Sequence, residues 1–252
     1  MKVLFIGDIF GTRGQEALDK YLPKVKEEYR PDMILANGEN LDKGFGLTLK
    51  TYKFLMGHGV RCVTMGNHTF SKRELLDFME DANIVRPANY HTDVPGKGVQ
   101  VLRFNNQTLA VVNMMGRIFM GDPLDNPFAR MDEVLEDIEA DYIVVDFHAE
   151  ATSEKLAFGH YMDGRVDAVV GTHTHVPTAD AMVLPKKTLY ISDIGMTGAK
   201  YGILGGDKDT ILRKFTTGMP SRIKEDTSKE LQFNAVLLDL DLKTIKAINI
   251  HE

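Results

Sequence analysis

Short apolar runs recur along this chain, and several end abruptly in a polar cluster. Leu4-Phe5-Ile6 gives way to Gly7-Asp8, and Met33-Ile34-Leu35-Ala36 to Asn37-Gly38-Glu39-Asn40. Val63-Thr64-Met65 leads into Gly66-Asn67-His68, and Ile143-Val144-Val145 into Asp146-Phe147-His148. Ala168-Val169-Val170 leads into Gly171-Thr172-His173-Thr174-His175. Short apolar runs bounded by turn residues read as buried strands. Between the early runs the period becomes helical. A turn at Gly11-Thr12-Arg13-Gly14 precedes a helix over 15–29 with Leu18, Leu22 and Val25 on one face. Arg30-Pro31 ends it, because the residue before a proline avoids helical dihedrals. A second helix is expected near 48–58. Ser71 with Glu74 forms the pattern of a capping box, which predicts a third helix reaching about residue 82. Strand–helix alternation of this kind predicts parallel strands joined by right-handed crossovers.

The later pattern is richer in strands. Residues 99–104 and 108–114 flank Asn105-Asn106-Gln107 and read as a hairpin. Residues 117–130, with Pro123 and Pro127, read as a loop, followed by a helix over 131–139 and a strand over 142–147. A helix over 153–162 precedes a strand over 167–171. Segments 181–184 and 188–192 read as another hairpin, turning at Pro185-Lys186-Lys187. Residues 195–206 form a glycine-dense loop, then a helix near 208–217 and closing strands over 231–240 and 244–250. No linker, repeat or low-complexity tract interrupts this order. The expectation is an α/β fold, one domain over 1–252, with two packed mixed sheets between helical layers.

Composition narrows the function. The chain has 252 residues, 43% of them apolar, enough for a substantial core. No run approaches the roughly 18–20 apolar residues of a membrane helix. The N-terminal stretch lacks the basic region and small-residue cleavage site of a signal peptide. The lone cysteine, Cys62, cannot form an intrachain disulfide and fits a reducing compartment, so a cytoplasmic protein is expected. Its apolar surroundings read as packing. The formal net charge is −6, and no Lys/Arg cluster offers the basic face that duplex nucleic acid needs. Charge therefore favours a small anionic ligand held locally through metal, and leaves a short RNA open.

Taken singly, each polar cluster has an ordinary reading. Asp8 could cap a turn, Glu39-Asn40 could be a solvated loop, and Gly66-Asn67 is a common turn pair. His148 could be a satisfied buried histidine. Together they have one explanation: in open α/β sheets, ligands gather beyond the carboxyl ends of parallel strands. His173 and His175 strengthen it, since alternation along an extended segment puts both imidazoles on one side. Asp146 reads equally as a group orienting a ligand or as a turn residue. Glu150 and the residues after it most simply start a helix. His58, His91, His160 and His251 follow no buried strand and read as surface residues. The 195–206 loop could be a substrate cover or an ordinary connection. With no thiolate in the set, a cysteine zinc site is out, and carboxylate, amide oxygen and imidazole suit manganese, iron or zinc. The candidate ligands are too many for one tetrahedral ion and about right for two. Two ions roughly 3.5–4 Å apart can clamp both oxygens of an in-line displacement at phosphorus and bring the pKa of a bound water from about 15.7 toward about 7.

The stretches Gly7-Asp8-Ile9-Phe10, Gly38-Glu39-Asn40, Gly66-Asn67-His68-Thr69, His148 and Gly171-Thr172-His173-Thr174-His175 resemble, in order, the signature of calcineurin-like metallophosphoesterases. That signature runs D-x-H, G-D, G-N-H-[DE], H and G-H-x-H. The chain departs from it at Phe10, where a metal-binding histidine is usual, at Glu39 in place of the bridging aspartate, and at Thr69. With Asp-Phe-His-Ala-Glu-Ala-Thr-Ser-Glu-Lys and Gly-Thr-His-Thr-His, the whole chain resembles the bacterial YmdB-like subfamily. The resemblance implies the metallophosphoesterase fold, a four-layer α-β-β-α sandwich, and two metal ions, iron or manganese ahead of zinc. It implies that Glu39 bridges both ions. Asp8, Asn40 and His175 would complete the first, with Asn40 compensating for Phe10, and Asn67, His148 and His173 the second. His68 would be the proton donor. The implied activity is hydrolysis of cyclic nucleotides, 2′,3′-cyclic ones above all, by metal-bound hydroxide. Rival expectations are a phosphomonoesterase or a nuclease acting on RNA ends and, from a different class, a slow nucleotide sensor acting through a protein partner. Oligomeric state is open, since the 117–130 and 195–206 loops could form an interface.

Overall fold

The computed structural model describes residues 1–251. In chain order the first elements are β1 (Lys2–Ile6), β2 (Asp8–Ile9), α1 (Gly11–Tyr29), β3 (Met33–Asn37), α2 (Leu49–Gly57), β4 (Cys62–Thr64) and β5 (Ile84–Val85). The hairpin β6 (Val99–Phe104) and β7 (Gln107–Met115) follows, then α3 (Pro127–Asp137), β8 (Tyr142–His148), α4 (Thr152–Met162) and β9 (Ala168–Thr172). The last elements are β10 (Met182–Val183), β11 (Leu189–Ile191), β12 (Met196–Ala199), α5 (Lys208–Thr217), β13 (Leu231–Asp239) and β14 (Thr244–His251).

Two mixed sheets result. The first runs β2-β12-β13-β1-β3-β4-β5, with β14 on β13. Within it β1, β3, β4 and β5 are mutually parallel, while β13 runs antiparallel to β1. The second runs β10-β11-β9-β8-β7-β6, parallel from β7 through β11 with antiparallel hairpin partners at its edges.

Strand alternation sorts the apolar residues into three cores. In β1, Leu4 and Ile6 pack toward Leu18, Leu22 and Val25 of α1, the face expected from their spacing. Val3 and Phe5 point the other way and join Val111, Val144 and Val170 of the second sheet. On that sheet's far face, Val145 and Phe147 meet Met131 of α3 and Phe158 of α4, with the Phe147 and Phe158 rings stacked at 4.1 Å. Each fully buried side chain of this size contributes roughly 1.5–3 kcal/mol. Strands buried on both faces have no polar alternation to show, which is why the apolar runs are continuous. The layers are helix, sheet, sheet, helix, as expected.

Three local expectations are corrected. Residues 11–14 are not a turn but the first turn of α1. The helix expected from the Ser71–Glu74 pattern is replaced by two short 3₁₀ turns, Thr69–Ser71 and Arg73–Asp77. Glu74 does not close a capping box: its carboxylate accepts the Leu49 N–H in the first turn of α2, and Ser71 Oγ lies 3.4 Å from His68 Nδ1. The loop expected over 117–130 ends early, because Pro127 occupies the first position of α3 and the Asn126 side chain caps it. Inside the glycine-dense 195–206 segment, β12 pairs with both β2 and β13. No described helix is long and apolar enough to cross a membrane.

Candidate metal centre

Parallel strands deliver their C-terminal residues to one edge. β1, β3 and β4 bring Asp8, Glu39, Asn40, Asn67 and His68 there, and β8 and β9 bring His148, His173 and His175 from the second sheet. The two edges are stitched by buried polar contacts. Asn37 Nδ2 donates to Asp146 Oδ2 at 3.2 Å and to the Met65 carbonyl at 3.2 Å, while Asn37 Oδ1 accepts the Glu39 N–H. Asp8, Glu39, Asn40 and His148 are all buried.

One group of donors is dense. Ring nitrogen or carboxylate oxygen atoms of Glu39, His148 and His173 lie within 4.8 Å of one another. His148 Nε2 is 2.9 Å from Asn67 Oδ1, 3.0 Å from His173 Nδ1 and 3.3 Å from Glu39 Oε1. At the other ring nitrogen, Thr172 Oγ1 donates to Asp146 Oδ1 at 2.6 Å and stands 2.9 Å from His148 Nδ1. A hydroxyl that has spent its proton on a carboxylate must accept, so His148 Nδ1 carries hydrogen and Nε2 faces the cluster. Burial works against charging His148, but the Glu39 carboxylate, helped by Asp8 and Asp146, holds it up at about 9. Burial likewise opposes ionisation of Glu39, yet His148 and the His68 N–H, 2.8 Å from Oε2, bring it down to about 2. His173, pushed down to about 3 by burial and then by His148, stays neutral, with Nε2 3.2 Å from Glu150 Oε2. Three lone-pair atoms thus converge on one N–H, which can satisfy only one of them well. Close packing makes this possible: a Cβ on Gly66 would lie 2.3 Å from His148 Nε2 and 2.5 Å from Glu39 Oε2.

The neighbouring group is sparse. Asp8 Oδ1 and Asn40 Oδ1 are buried without a hydrogen-bond partner. The nearest base to Asp8 Oδ1 is His175 Nε2, at 3.7 Å. Asn40 Nδ2 donates to the Gly44 carbonyl, so its amide is oriented and its oxygen left over. Burial pushes the Asp8 carboxyl well above the ordinary range against the pull of His148, and Asp193, Glu39 and Asp146 add to the rise. Phe10 occupies a slot that fits only a flat ring: Cβ atoms on Gly44 or Gly205 would lie 2.6 Å from it, and both glycines have φ of +87°. Its ring meets that of His175 edge-on at 5.7 Å.

The expected extended H-x-H segment is corrected. β9 ends at Thr172, and His173 and His175 have φ of 101° and 65°, in the left-handed region. The two rings therefore serve different neighbours, His173 the dense group and His175 the sparse one. A buried ion pair holds this bend. Lys155 Nζ of α4 donates to Asp193 Oδ2 at 2.7 Å and to the Thr172 carbonyl at 2.8 Å, and Asp193 Oδ2 accepts the Thr174 N–H.

Carboxylate, amide oxygen and imidazole without thiolate is a set for hard to borderline divalent ions. Converging lone pairs, orphaned oxygens and an excess of buried carboxylates fit such cations. His68 differs from the rest: half-buried, edge-on to Phe45 at 5.0 Å, it borders a cavity of about 370 Å³ that also touches Glu39, His173 and His175.

Sequence reasoning missed Thr172, Asn37, Lys155 and Asp193. Asp193 ends the run Leu189-Tyr190-Ile191-Ser192 and obeys the same strand-then-carboxylate rule. Lys155 carries no such signal, since only the packing of α4 buries it. Of the two readings of Asp146, the fold shows the orienting one, and Glu150 stands at His173 besides preceding α4. Cys62 is buried as packing.

A family profile described as YmdB-like protein matches residues 4–252. The 2′,3′-cyclic-nucleotide 2′-phosphodiesterase of Bacillus subtilis is 49% identical over 253 residues, covering 99% of this chain and 95% of that protein. A crystal structure of a hypothetical protein from Thermus thermophilus superposes with a TM-score of 0.95 at 44% identity, covering all of both chains. A structure titled a novel phosphatase from Mycoplasma pneumoniae superposes at 0.92 with 36% identity, covering all of this chain and 94% of the other.

Proposed function

This chain belongs to the YmdB-like family of phosphoesterases, and from that premise we propose that it is a two-metal phosphodiesterase acting on cyclic nucleotides, with 2′,3′-cyclic ones as the first choice. The observation that carries the reading is the dense donor group of Glu39, His148 and His173 lying beside the orphaned oxygens of Asp8 and Asn40, with His68 on the cavity rim. Asn67, His148 and His173 would hold one ion, Asp8, Asn40 and His175 the other, and Glu39 both. Iron or manganese suits these donors best. When bound, the ions supply charge neutralisation at the phosphate and activation of the attacking water. The chain's residues do the rest. The Asp146–Thr172 relay keeps His148 Nδ1 protonated, so that Nε2 is the nitrogen presented to a cation. Lys155 and Asp193 fix the bend that separates His173 from His175. His68, on the cavity rim, hands a proton to the departing alkoxide. The Bacillus subtilis relative supports the substrate choice, and the −6 charge supports a small substrate over duplex nucleic acid. We place the enzyme in the cytoplasm, acting as one domain.

The test is a hydrolysis screen of 2′,3′- and 3′,5′-cyclic nucleotides, a phosphomonoester and a short RNA on one sample whose metals are quantified. Preferential turnover of 2′,3′-cyclic nucleotides at about two metals per chain is expected. Faster monoester hydrolysis would move the reading to a phosphatase. Tight nucleotide binding with negligible turnover would move it to a sensor.

A further inference from the structure

The cavity beside His68 is much larger than a phosphate needs. Its volume of about 370 Å³ equals the liquid share of on the order of ten water molecules. Its floor is the polar centre. One wall is apolar and comes from outside both sheets, with Ile203 and Leu204 on a turn, Ile211 and Phe215 on α5, and Ile223 beyond it, while Phe45, Glu150 and Thr174 line the cavity elsewhere. Phe215 is 80% exposed and Leu204 51% exposed. Large apolar side chains set around a polar site and left open to solvent mark a surface that a ligand covers.

The turn is built to present them. Ile203 and Gly206 exchange both backbone hydrogen bonds at 2.9 Å, and the two residues between them, Leu204 and Gly205, have φ of 51° and 87°. Positive φ at both central positions is the tight hairpin turn. The Leu204 carbonyl accepts from His175 Nδ1 at 3.0 Å, so one peptide fixes both the wall and a histidine of the centre. None of these apolar side chains carries a donor or acceptor that could read the edge of a base, and the charge on that wall is Lys214, with Glu150 elsewhere on the lining. A flat π-face has no such requirement.

We propose that α5 and the 203–206 turn form a base-tolerant nucleobase subsite, in which Phe215 stacks on the base of a nucleotide whose phosphate lies at Glu39, His68 and His173. This rests on the phosphodiesterase reading and adds to it the feature that sets substrate choice: the site prefers nucleotides to base-free phosphodiesters and is indifferent to which base is present. Stacking on an aromatic side chain suits every base for the same reason.

The experiment compares kcat/KM for the 2′,3′-cyclic phosphates of adenosine, guanosine, cytidine and uridine with that for methyl riboside 2′,3′-cyclic phosphate, which keeps ribose and phosphate but lacks the base. For Phe215→Ala the ratio of nucleotide to base-free kcat/KM falls on the order of tenfold, mostly through KM. The loss is of similar size for all the nucleotides, and Phe215→Trp restores the ratio. Phe215 is exposed, so the substitution does not threaten folding. A ratio that Phe215→Ala leaves unchanged, or a loss confined to one base, overturns the subsite while leaving the phosphodiesterase reading intact. A wild-type enzyme that hydrolyses neither substrate class overturns that reading and the subsite with it.

Discussion

The two donor groups at the centre are neighbours with opposite habits. Around His148 both ring nitrogens have neighbours within hydrogen-bond reach, and the Asp146–Thr172 relay fixes which nitrogen faces inward. Around Asp8 and Asn40 two buried oxygens have none, and a phenyl ring fills the slot next to them. A buried acceptor left unsatisfied costs about 1–3 kcal/mol. The dense group holds its shape through its own hydrogen bonds, whereas the sparse group leaves two acceptors that a bound cation would complete. Glu39 would serve both in the proposed two-metal site, which makes it the natural lever on the comparison.

Glu39→Gln removes the shared carboxylate. It is expected to empty both positions and cut turnover on the order of 10⁴-fold or more, given several kcal/mol of charge stabilisation per ion. Elemental analysis with steady-state assay checks this, and a fully metallated, active variant would break the bridging role. His68→Ala is expected to lower kcat by roughly 10²–10⁴-fold with metal content unchanged; loss of metal would place His68 among the ligands instead. Lys155→Met leaves the Asp193 carboxylate buried and unpaired beneath both halves, at a cost of about 3–5 kcal/mol, readable by urea denaturation. A variant as stable as the parent would show that the bend at 173–175 holds itself.

Thr172→Val breaks the relay to His148 alone. Metal affinity of the dense half is expected to fall about 10–100-fold, while the second ion is little affected, as competitive chelator titration resolves. Equal weakening of both would erase the distinction between the halves. Phe10→His offers a nitrogen to the sparse half in a slot already shaped for a flat ring. A gain there of roughly tenfold in affinity, about 1.4 kcal/mol, is the expected result. No gain would mean that the orphaned oxygens of Asp8 and Asn40 already suffice.

Much of this was legible in the chain. The clusters after the apolar runs pointed to Asp8, Glu39, Asn67, His148, His173 and His175, which the fold brings close together, because strand ends sit where parallel sheets gather ligands. Helix α1 was readable from Leu18, Leu22 and Val25, since a single apolar face follows from spacing alone. Ser71–Glu74 misled because a capping box is a local pattern, and Glu74 had a stronger non-local partner in the Leu49 N–H. Pro127 was read as a loop marker, though the first turn of a helix accepts proline equally well.

What the sequence determined by itself is which side chains meet, for register and strand direction depend on hydrophobic period and crossover handedness. The family resemblance implies how they divide their work, but the local means of that division were decided only by the tertiary structure. The left-handed bend sends His173 and His175 to different neighbours. Burial of Lys155 turns a helix lysine into a clamp, and Thr172 sets the tautomer of His148. Each depends on distances of a few ångströms between elements far apart in the chain, and no local pattern of residues encodes those.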